Sequence, residues 1–216
     1  MDKNYTEEPQ CPEQAASAFQ ETWTPNHILF YGPENRALAL FDSISKESSL
    51  ALISQLLELD THPYESITLH LNTDGGLLAD GFAIYDCIKG LTSPVRVLCA
   101  GVCASAGLLI LAAGSLRYAT DNCLFFYHQT IIPPEAVSSL EQISSCHQAY
   151  AAYQSRYDNI LRANSFLSEK EYSEQFLGKT SKYFFAKEAL ECGIIDTIVN
   201  FNLTETTPQG TEQNGQ

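Results

Sequence analysis

Strand and helix signals alternate along this chain between residues 27 and 199. Short apolar runs that end in Gly, Pro or Asp predict strands, and apolar residues at three- and four-residue spacing predict helices. The predicted strands cover residues 27–31, 67–72, 95–100, 116–120, 123–128 and 194–199. The predicted helices cover residues 46–59, 79–89, 108–113, 135–163 and 186–192, with a short one after Ser168. This alternation is typical of an α/β fold in which helices cover a mainly parallel sheet.

A length of 216 residues favours one large domain, which we expect to span residues 27–199. Residues 1–26 are polar and contain three prolines, so we expect an N-terminal arm. Residues 200–216 are rich in Thr, Gln, Asn and Gly and almost lack apolar side chains. Such a segment cannot offset the entropy of ordering, and we predict a disordered tail.

The charge of the chain excludes some classes of partner. The chain has 12 Lys and Arg residues and 26 Asp and Glu residues, which gives a net charge of −14. Nucleic acids and anionic lipid surfaces attract basic proteins, so we expect neither as a partner. No apolar run reaches the roughly 18 residues that a membrane span requires, and the first ten residues lack the apolar segment of a signal peptide.

The cysteines and histidines show no metal or disulfide pattern. Seven cysteines cannot all pair within one chain, and none lies in a CxxC motif. We interpret them as buried structural thiols, which favours a reducing compartment such as the cytoplasm. No two histidines have the spacing of metal ligands, so we predict no metal site.

Ser105 is the strongest candidate for a catalytic nucleophile. It follows a predicted buried strand, precedes an apolar helix, and has only small residues around it. Free N–H groups at a helix N-terminus could stabilise an oxyanion beside such a serine. The same pattern also suits a serine that only caps the helix, and the spacing alone does not separate the two interpretations.

His128 and a Gly-Gly turn strengthen the catalytic interpretation. His128 ends an apolar run, at the end of a strand where active sites of α/β folds gather. A histidine can accept the proton of a serine at neutral pH. Asp74-Gly75-Gly76 follows another strand, and one of its N–H groups could join that of Ala106 in an oxyanion hole. A surface histidine and a plain strand-to-helix turn are the alternatives.

Five motifs together resemble a known family. They are Asn72-Thr73-Asp74-Gly75-Gly76, Gly81-x-x-Ile84-Tyr85-Asp86, Gly101-Val102-Cys103-Ala104-Ser105-Ala106-Gly107, Tyr127-His128-Gln129 and Glu188-Ala189-x-x-x-Gly193-Ile194-x-Asp196. In this order and spacing they resemble the proteolytic subunit of the Clp protease. The resemblance covers about residues 26–199. Each motif alone is weakly specific, whereas the ordered set is specific.

The resemblance implies a crotonase-like ββα superhelix with a long protruding handle helix, which begins at Glu135 and joins two heptameric rings. It implies a serine endopeptidase that cleaves unfolded polypeptides inside a chamber of stacked rings. It also implies a Clp-type ATPase unfoldase as partner and no cofactor. The implied site comprises the nucleophile Ser105, the base His128, the oxyanion-hole amides of Gly76 and Ala106, and the substrate-binding residues Gln129, Thr130 and Ile131.

The third position of the triad departs from the family pattern. Counting back from Gly193, the catalytic aspartate of the family aligns with Ser181. A serine can accept a hydrogen bond from the imidazole Nδ1–H, but it cannot stabilise an imidazolium with a full charge. Losing a triad carboxylate can cost about 10⁴ in turnover, so the sequence predicts weakened activity. Glu174 is an alternative partner for His128.

Three further departures concern the surroundings of the site. Pro133 and Pro134 follow His128 closely, where the family has glycines, and they shorten any substrate-pairing strand. Asp74 stands in the place of a proline. The N-terminal arm differs from the axial loop of the family, which bears on pairing with an unfoldase.

Two other functions compete with a serine peptidase. A structural ring subunit could assemble with an active paralogue, although such a scaffold would not need the Ser105 and His128 pair. An acyl-CoA enzyme of the same fold would need an acyl channel and an acidic group near the oxyanion hole, a role that Asp74 could serve. Labelling by a fluorophosphonate discriminates these possibilities.

Overall fold

A computed structural model describes residues 35–63, 65–131, 140–177 and 180–199, and all of them belong to one compact unit. The predicted N-terminal arm, the strand at 27–31 and the tail at 200–216 lie outside the described residues. So does the start of the long helix predicted from residue 135.

Strands and helices alternate as the sequence predicts. The strands are β1 (Ala37–Leu40), β2 (Ile67–Thr73), β3 (Val95–Ala104), β4 (Leu116–Thr120), β5 (Leu124–His128), β6 (Ser181–Phe185) and β7 (Thr197–Val199). The helices are α1 (Lys46–Leu59), α2 (Leu78–Gly90), α3 (Gly107–Ala113), α4 (Leu140–Ala163), α5 (Glu169–Tyr172) and α6 (Ala186–Glu191), and a π-helical turn at Ser173–Leu177 follows α5.

Six of the seven strands run parallel. β1, β2, β3, β4 and β7 lie side by side in that order, with parallel pairing throughout. β5 pairs in parallel with the end of β3, and β6 pairs antiparallel with β5. The prediction of an α/β fold with a mainly parallel sheet is confirmed. Within the described residues, no helix has the length and apolar character needed to cross a bilayer.

β3 is longer than predicted because β4 and β5 pair with successive parts of one of its edges, while β2 pairs with the other. Its first half pairs with β4, and Val102 to Ala104 pair with β5. Between the two halves Gly101 has a φ of +84°, a conformation that favours glycine. The Asn72 side chain accepts a hydrogen bond from the Val102 N–H at 3.0 Å and so replaces a strand bond at the irregularity. This bend carries the end of β3 to the last residues of β5.

Helix positions follow from caps and apolar spacing. Ser45 caps α1 in a capping box with Ser48, and the face of α1 with Leu52, Leu56 and Leu59 is buried. All residues of α3 are buried, so this helix forms the centre of the core. The capping box predicted at Ser168 is present and begins α5.

β1 and β6 were not predicted, and β7 is shorter than expected. β1 has only four residues, all of them apolar, so it shows no alternation of polar and apolar side chains. β6 alternates exposed and buried side chains, with Tyr183 and Phe185 exposed and Phe184 buried. Just before β7, Asp196 is held by hydrogen bonds to Arg117 instead of by strand pairing. The Arg117 N–H donates to the Asp196 carboxylate, and the Asp196 N–H donates to the Arg117 carbonyl.

α4 is exposed along most of its length and buried near its end. Tyr157 and Leu161 are buried, whereas Ile143 and Tyr153 are 48% and 39% exposed. Tyr153 stacks on the ring of Phe82 at 5.7 Å. The six cysteines in the described part of the chain are free thiols, and four of them are buried.

Candidate active site

Ser105 lies in a strained turn between β3 and α3. Its φ of +53° is one of two positive values among the described non-glycine residues, and such a conformation is costly for a residue with a Cβ. Its N–H donates to the Phe126 carbonyl at 2.7 Å, and its own carbonyl accepts from the Leu108 N–H and the Tyr157 hydroxyl, both at 3.0 Å. Three bonds therefore hold the turn in place.

The Ser105 side chain does not cap α3. The helix begins at Gly107, its N-cap is Ala106, and no side chain donates or accepts at that cap. The interpretation of Ser105 as a simple helix cap is therefore wrong, and its hydroxyl remains available for other chemistry.

The Gly75-Gly76 turn lies directly against Ser105. A Cβ on Gly75 would come within 2.6 Å of the Ser105 Cβ, and one on Gly76 would come within 2.2 Å of the Ile44 carbonyl oxygen. Both glycines have positive φ, +94° and +146°. The turn is fixed by the bond from the Ile44 N–H to the Gly75 carbonyl at 2.7 Å. Only glycine allows the backbone to come this close to the serine.

Two backbone N–H groups beside Ser105 are free to donate. Neither the Gly76 N–H nor the Ala106 N–H bonds to another residue in the described part of the chain. Ala106 N lies 3.2 Å from the position of a Cβ on Gly75, so the Gly-Gly turn and the start of α3 are adjacent. The sequence predicts these two N–H groups as the donors of an oxyanion hole, and that role stays a prediction.

His128 is brought to Ser105 by the pairing of β3 and β5. Ala104 is in register with Phe126, and the Ser105 N–H bonds to the Phe126 carbonyl, so the end of β5 lies beside Ser105 and both Ser105 and His128 line one cavity. The His128 Nδ1 lies 2.7 Å from the carbonyl oxygen of Gln129. A carbonyl oxygen only accepts, so in the neutral imidazole the proton lies on Nδ1 and the lone pair on Nε2. An imidazole in this form can act as a base through Nε2.

Ser181 lies opposite His128 on β6. The neighbouring pair, Gln129 and Thr180, is joined by a bond from the Gln129 N–H to the Thr180 carbonyl at 3.1 Å. His128 and Ser181 are therefore a non-hydrogen-bonded pair, in which the side chains share one face and approach closely. The Ser181 hydroxyl bonds to no other described residue, and its part in catalysis stays a prediction.

Glu174 does not reach His128. It lies in the π-helical turn, where its carboxylate is 3.9 Å from the Lys170 ammonium, and both side chains are exposed.

One cavity of about 320 Å³ brings the candidate residues together. Ser105, His128 and Gly76 line it, as do Thr130 and Ile131 of the expected substrate-binding segment. Its other lining residues are Asp74, Leu77, Leu78, Tyr150 and Tyr157. Gln129 lies outside the cavity, and its side-chain amide points to the Leu177 carbonyl at 3.5 Å. A serine, a histidine and a backbone N–H in one cleft are an arrangement that could carry out acyl transfer.

The sequence does not predict a polar network that lies behind the cavity. Gln154 on α4 accepts from the Thr130 N–H at 2.6 Å and from the Thr130 hydroxyl at 2.7 Å, through its Oε1. Its Nε2 donates to the Asp158 carboxylate at 2.8 Å. The hydroxyls of Tyr127 and Tyr172 donate to the same carboxylate at 2.8 and 3.2 Å. The only signal in the sequence is the four-residue spacing of Gln154 and Asp158, which is equally typical of a solvated helix face.

Burial dominates the electrostatics of this network. It raises the pKa of the Asp158 carboxyl above its usual range, although the three hydrogen bonds to the carboxylate oppose the shift. Burial, together with the charge of Asp158, also raises the pKa of the Tyr127 and Tyr172 hydroxyls. Both tyrosines therefore stay neutral donors. No group of His, Cys, Asp and Glu side chains in the described ranges could hold a metal ion.

Comparisons with known proteins agree on one family. Residues 28–202 match the family model described as Clp protease. An ATP-dependent Clp protease proteolytic subunit of Cyanophora paradoxa is 32% identical over 170 residues, which cover 76% of this chain and 84% of the relative. A solved structure of a ClpP1 point mutant from Listeria monocytogenes superposes with a TM-score of 0.70 at 23% identity, covering 79% of this chain and 94% of that one. This last likeness shows that the fold is shared.

Proposed function

The chain belongs to the Clp protease family, and on that basis we propose that it is a serine-type endopeptidase that cleaves unfolded polypeptides. In this proposal Ser105 is the nucleophile and His128 the general base. The observation that carries it is the shared cavity of about 320 Å³, which Ser105, His128 and Gly76 line together.

The form of His128 suits proton transfer. With the Nδ1–H donated to the Gln129 carbonyl at 2.7 Å, Nε2 can take the proton of the Ser105 hydroxyl as its oxygen attacks the peptide carbonyl. His128 then returns that proton to the leaving amine, and the acyl group stays on Ser105. Water, deprotonated by the same imidazole, releases the second product.

The oxyanion of the tetrahedral intermediate would bind to the N–H groups of Gly76 and Ala106. Both groups are free of other bonds among the described residues, so the turn and the start of α3 need no rearrangement to donate. Fixed donors of this kind stabilise developing charge most where water is excluded.

Residues 129–131 would pair with the substrate backbone. The Gln129 N–H and the Thr130 N–H are already bonded, to Thr180 and Gln154. The Thr130 carbonyl and the Ile131 N–H remain for a peptide, and Ile131 is 68% exposed. Two free groups support a short pairing, consistent with the prolines at 133 and 134.

The family also supports proposals on assembly and location. We expect stacked homo-oligomeric rings with α4 as the handle between them, and a Clp-type ATPase as the partner that unfolds substrates. Exposed apolar side chains on α4, among them Ile143, support burial against a second subunit. The free cysteines support a cytoplasmic location. The reaction requires no cofactor.

A fluorophosphonate probe tests the nucleophile on the full chain. We expect it to label the protein at Ser105, and Ser105→Ala should lose both labelling and peptide hydrolysis while keeping its oligomeric mass. Ser115→Ala is the matched control, because Ser115 directly precedes β4 and lies outside the cavity, so the variant should leave both readouts unchanged. Hydrolysis that survives Ser105→Ala would overturn the assignment. An unlabelled protein that still forms rings would support the structural ring subunit.

A further inference from the structure

We propose that Asp158 orients and polarises His128 from a distance, through the Gln154 side chain and the peptide group between Gln129 and Thr130. In this inference Asp158 and Gln154 are positioning residues that supply what a triad carboxylate otherwise supplies. The catalytic part of the inference rests on the proposed peptidase function, whereas the orientation of His128 can be measured without it.

Three consecutive hydrogen bonds connect the carboxylate to the imidazole. The Gln154 Nε2 donates to Asp158 Oδ2 at 2.8 Å, and the Thr130 N–H donates to Gln154 Oε1 at 2.6 Å. The His128 Nδ1–H donates to the Gln129 carbonyl at 2.7 Å. The Gln129 carbonyl and the Thr130 N–H belong to the same peptide group, so no gap interrupts the connection.

The direction of every bond is determined by chemistry. A backbone N–H can only donate, so the Gln154 oxygen must face Thr130 and its NH₂ must face Asp158. All the dipoles then point the same way, with each N–H towards the carboxylate and each carbonyl towards His128. Hydrogen bonds aligned in this way polarise one another, so charge on Asp158 increases the electron density at the Gln129 oxygen.

The contacts of the Asp158 carboxylate determine how its charge can act along this path. The groups that face it are neutral hydroxyls, from Tyr127 on β5 and Tyr172 on α5, and Tyr157 lies nearby on its own helix. No Lys or Arg forms an ion pair with Asp158 among the described residues. The charge of Arg162, one turn further along α4, acts on the Tyr172 hydroxyl, where it opposes the rise in pKa. The carboxylate is partly desolvated, which lengthens the reach of its field.

The path also explains how His128 is held although Ser181 offers no charge. The imidazole is bonded at Nδ1 to a backbone oxygen rather than to a side chain of β6. Gln154 fixes the plane of that peptide group from the opposite side, so the tautomer of His128 depends on a residue of α4.

Asp158→Asn removes the charge and keeps the size of the side chain. In the full-length chain we expect kcat for a fluorogenic peptide to fall about 10- to 100-fold with KM within about twofold, less than the roughly 10⁴ of a directly bonded carboxylate. The double variant Asp158→Asn with Gln154→Glu moves the charge one step nearer, because the Glu carboxylate can accept from Thr130. It should recover most of the lost kcat.

Tyr172→Phe is the matched control. It removes one donor to Asp158 at 3.2 Å, but Tyr172 takes no part in the path to His128. We expect kcat within about twofold of the wild type. A fall equal to that of Asp158→Asn would show that the network acts only through folding, and would overturn the proposal.

Nitrogen-15 NMR of His128 provides a readout independent of activity. In a Ser105→Ala background, Asp158→Asn should reduce the population of the Nδ1–H tautomer, and the Gln154→Glu double variant should restore it. An unchanged tautomer together with an unchanged kcat would refute the inference. A shifted tautomer in a protein that hydrolyses nothing would support the path to His128 and refute the peptidase function alone.

Discussion

Ser181→Asp should raise the turnover of this protein. Ser181 lies opposite His128 in a non-hydrogen-bonded pair of β5 and β6. In such a pair the two Cα atoms are about 4.5 Å apart and the side chains extend to the same face. A carboxylate at position 181 would therefore lie near the Nδ1 of His128, where it can stabilise the imidazolium of the transition state.

The size of the gain follows from this separation. Two opposite charges about 4 Å apart attract by about 1 kcal/mol in water and by about 4 kcal/mol at the effective dielectric constant near a protein surface. Ser181 is exposed on β6, so the true value lies between these limits. Each 1.36 kcal/mol is a factor of ten in rate, which gives an increase of about fivefold to about 10³-fold in kcat. The ceiling is the roughly 10⁴ that a triad aspartate contributes elsewhere.

The assay is turnover of a fluorogenic peptide by the wild type, Ser181→Asp and Ser181→Asn. The asparagine variant has the same shape without the charge, and we expect it to stay within about twofold of the wild type. An equal gain from both variants would show that shape, not charge, matters. No gain from Ser181→Asp, with a loss from Glu174→Gln, would show that the third triad position lies elsewhere than Ser181.

Three further predictions follow from the same structure. Gly75→Ala should lower kcat more than about 100-fold and abolish fluorophosphonate labelling. The new Cβ would come within 2.6 Å of the Ser105 Cβ, on a backbone with a φ of +94°. Labelling at the wild-type rate would contradict this prediction. Burial raises the pKa of Asp196, but the hydrogen bonds and charge of Arg117 more than offset this, so the pKa lies below its usual range. The stabilisation of the fold by this ion pair is therefore present above about pH 4 and is lost as the pH falls further. Asp196→Asn should therefore lower the free energy of unfolding by about 1–2 kcal/mol at pH 6 and by less at pH 3, measured by urea unfolding, and an equal loss at both pH values would contradict the ion pair. Light scattering at micromolar concentration should give the mass of a ring, and a monomer mass would contradict the assembly.

Much of the fold can be predicted from the sequence because periodicity and turn residues determine it locally. α1 is predicted with its observed bounds from apolar residues at helical spacing, and the structure adds its Ser45 cap. β6 could not be predicted, because a strand with two exposed aromatic residues has no clear alternation of polar and apolar side chains. Its pairing with β5 depends on contacts more than 50 residues apart in the chain, which no local pattern encodes.

The candidate site is predictable only in part, for a similar reason. Small residues and predicted strand ends in the sequence indicate Ser105, His128, Gly75 and Gly76. The partner of the imidazole could not be identified in that way. A backbone carbonyl has no residue type, so the bond from His128 to Gln129 has no signature in the sequence.

Position 181 and Asp158 act on the same imidazole nitrogen, and a double-mutant cycle tests whether their effects are coupled. If charge on Asp158 reaches His128 through the Gln129 carbonyl, a carboxylate at position 181 competes with that carbonyl for the Nδ1–H. Asp158→Asn should then lower kcat about 10- to 100-fold in the wild type but less than about threefold in the Ser181→Asp background. In that background the carboxylate at position 181 acts on His128 directly, so the distant charge of Asp158 adds little. The free-energy effects of mutating two residues that act through a shared group do not add, whereas the effects at independent residues add within about 0.5 kcal/mol. Equal costs of Asp158→Asn in the two backgrounds would show that the carboxylate on α4 and the residue on β6 act independently on the imidazole.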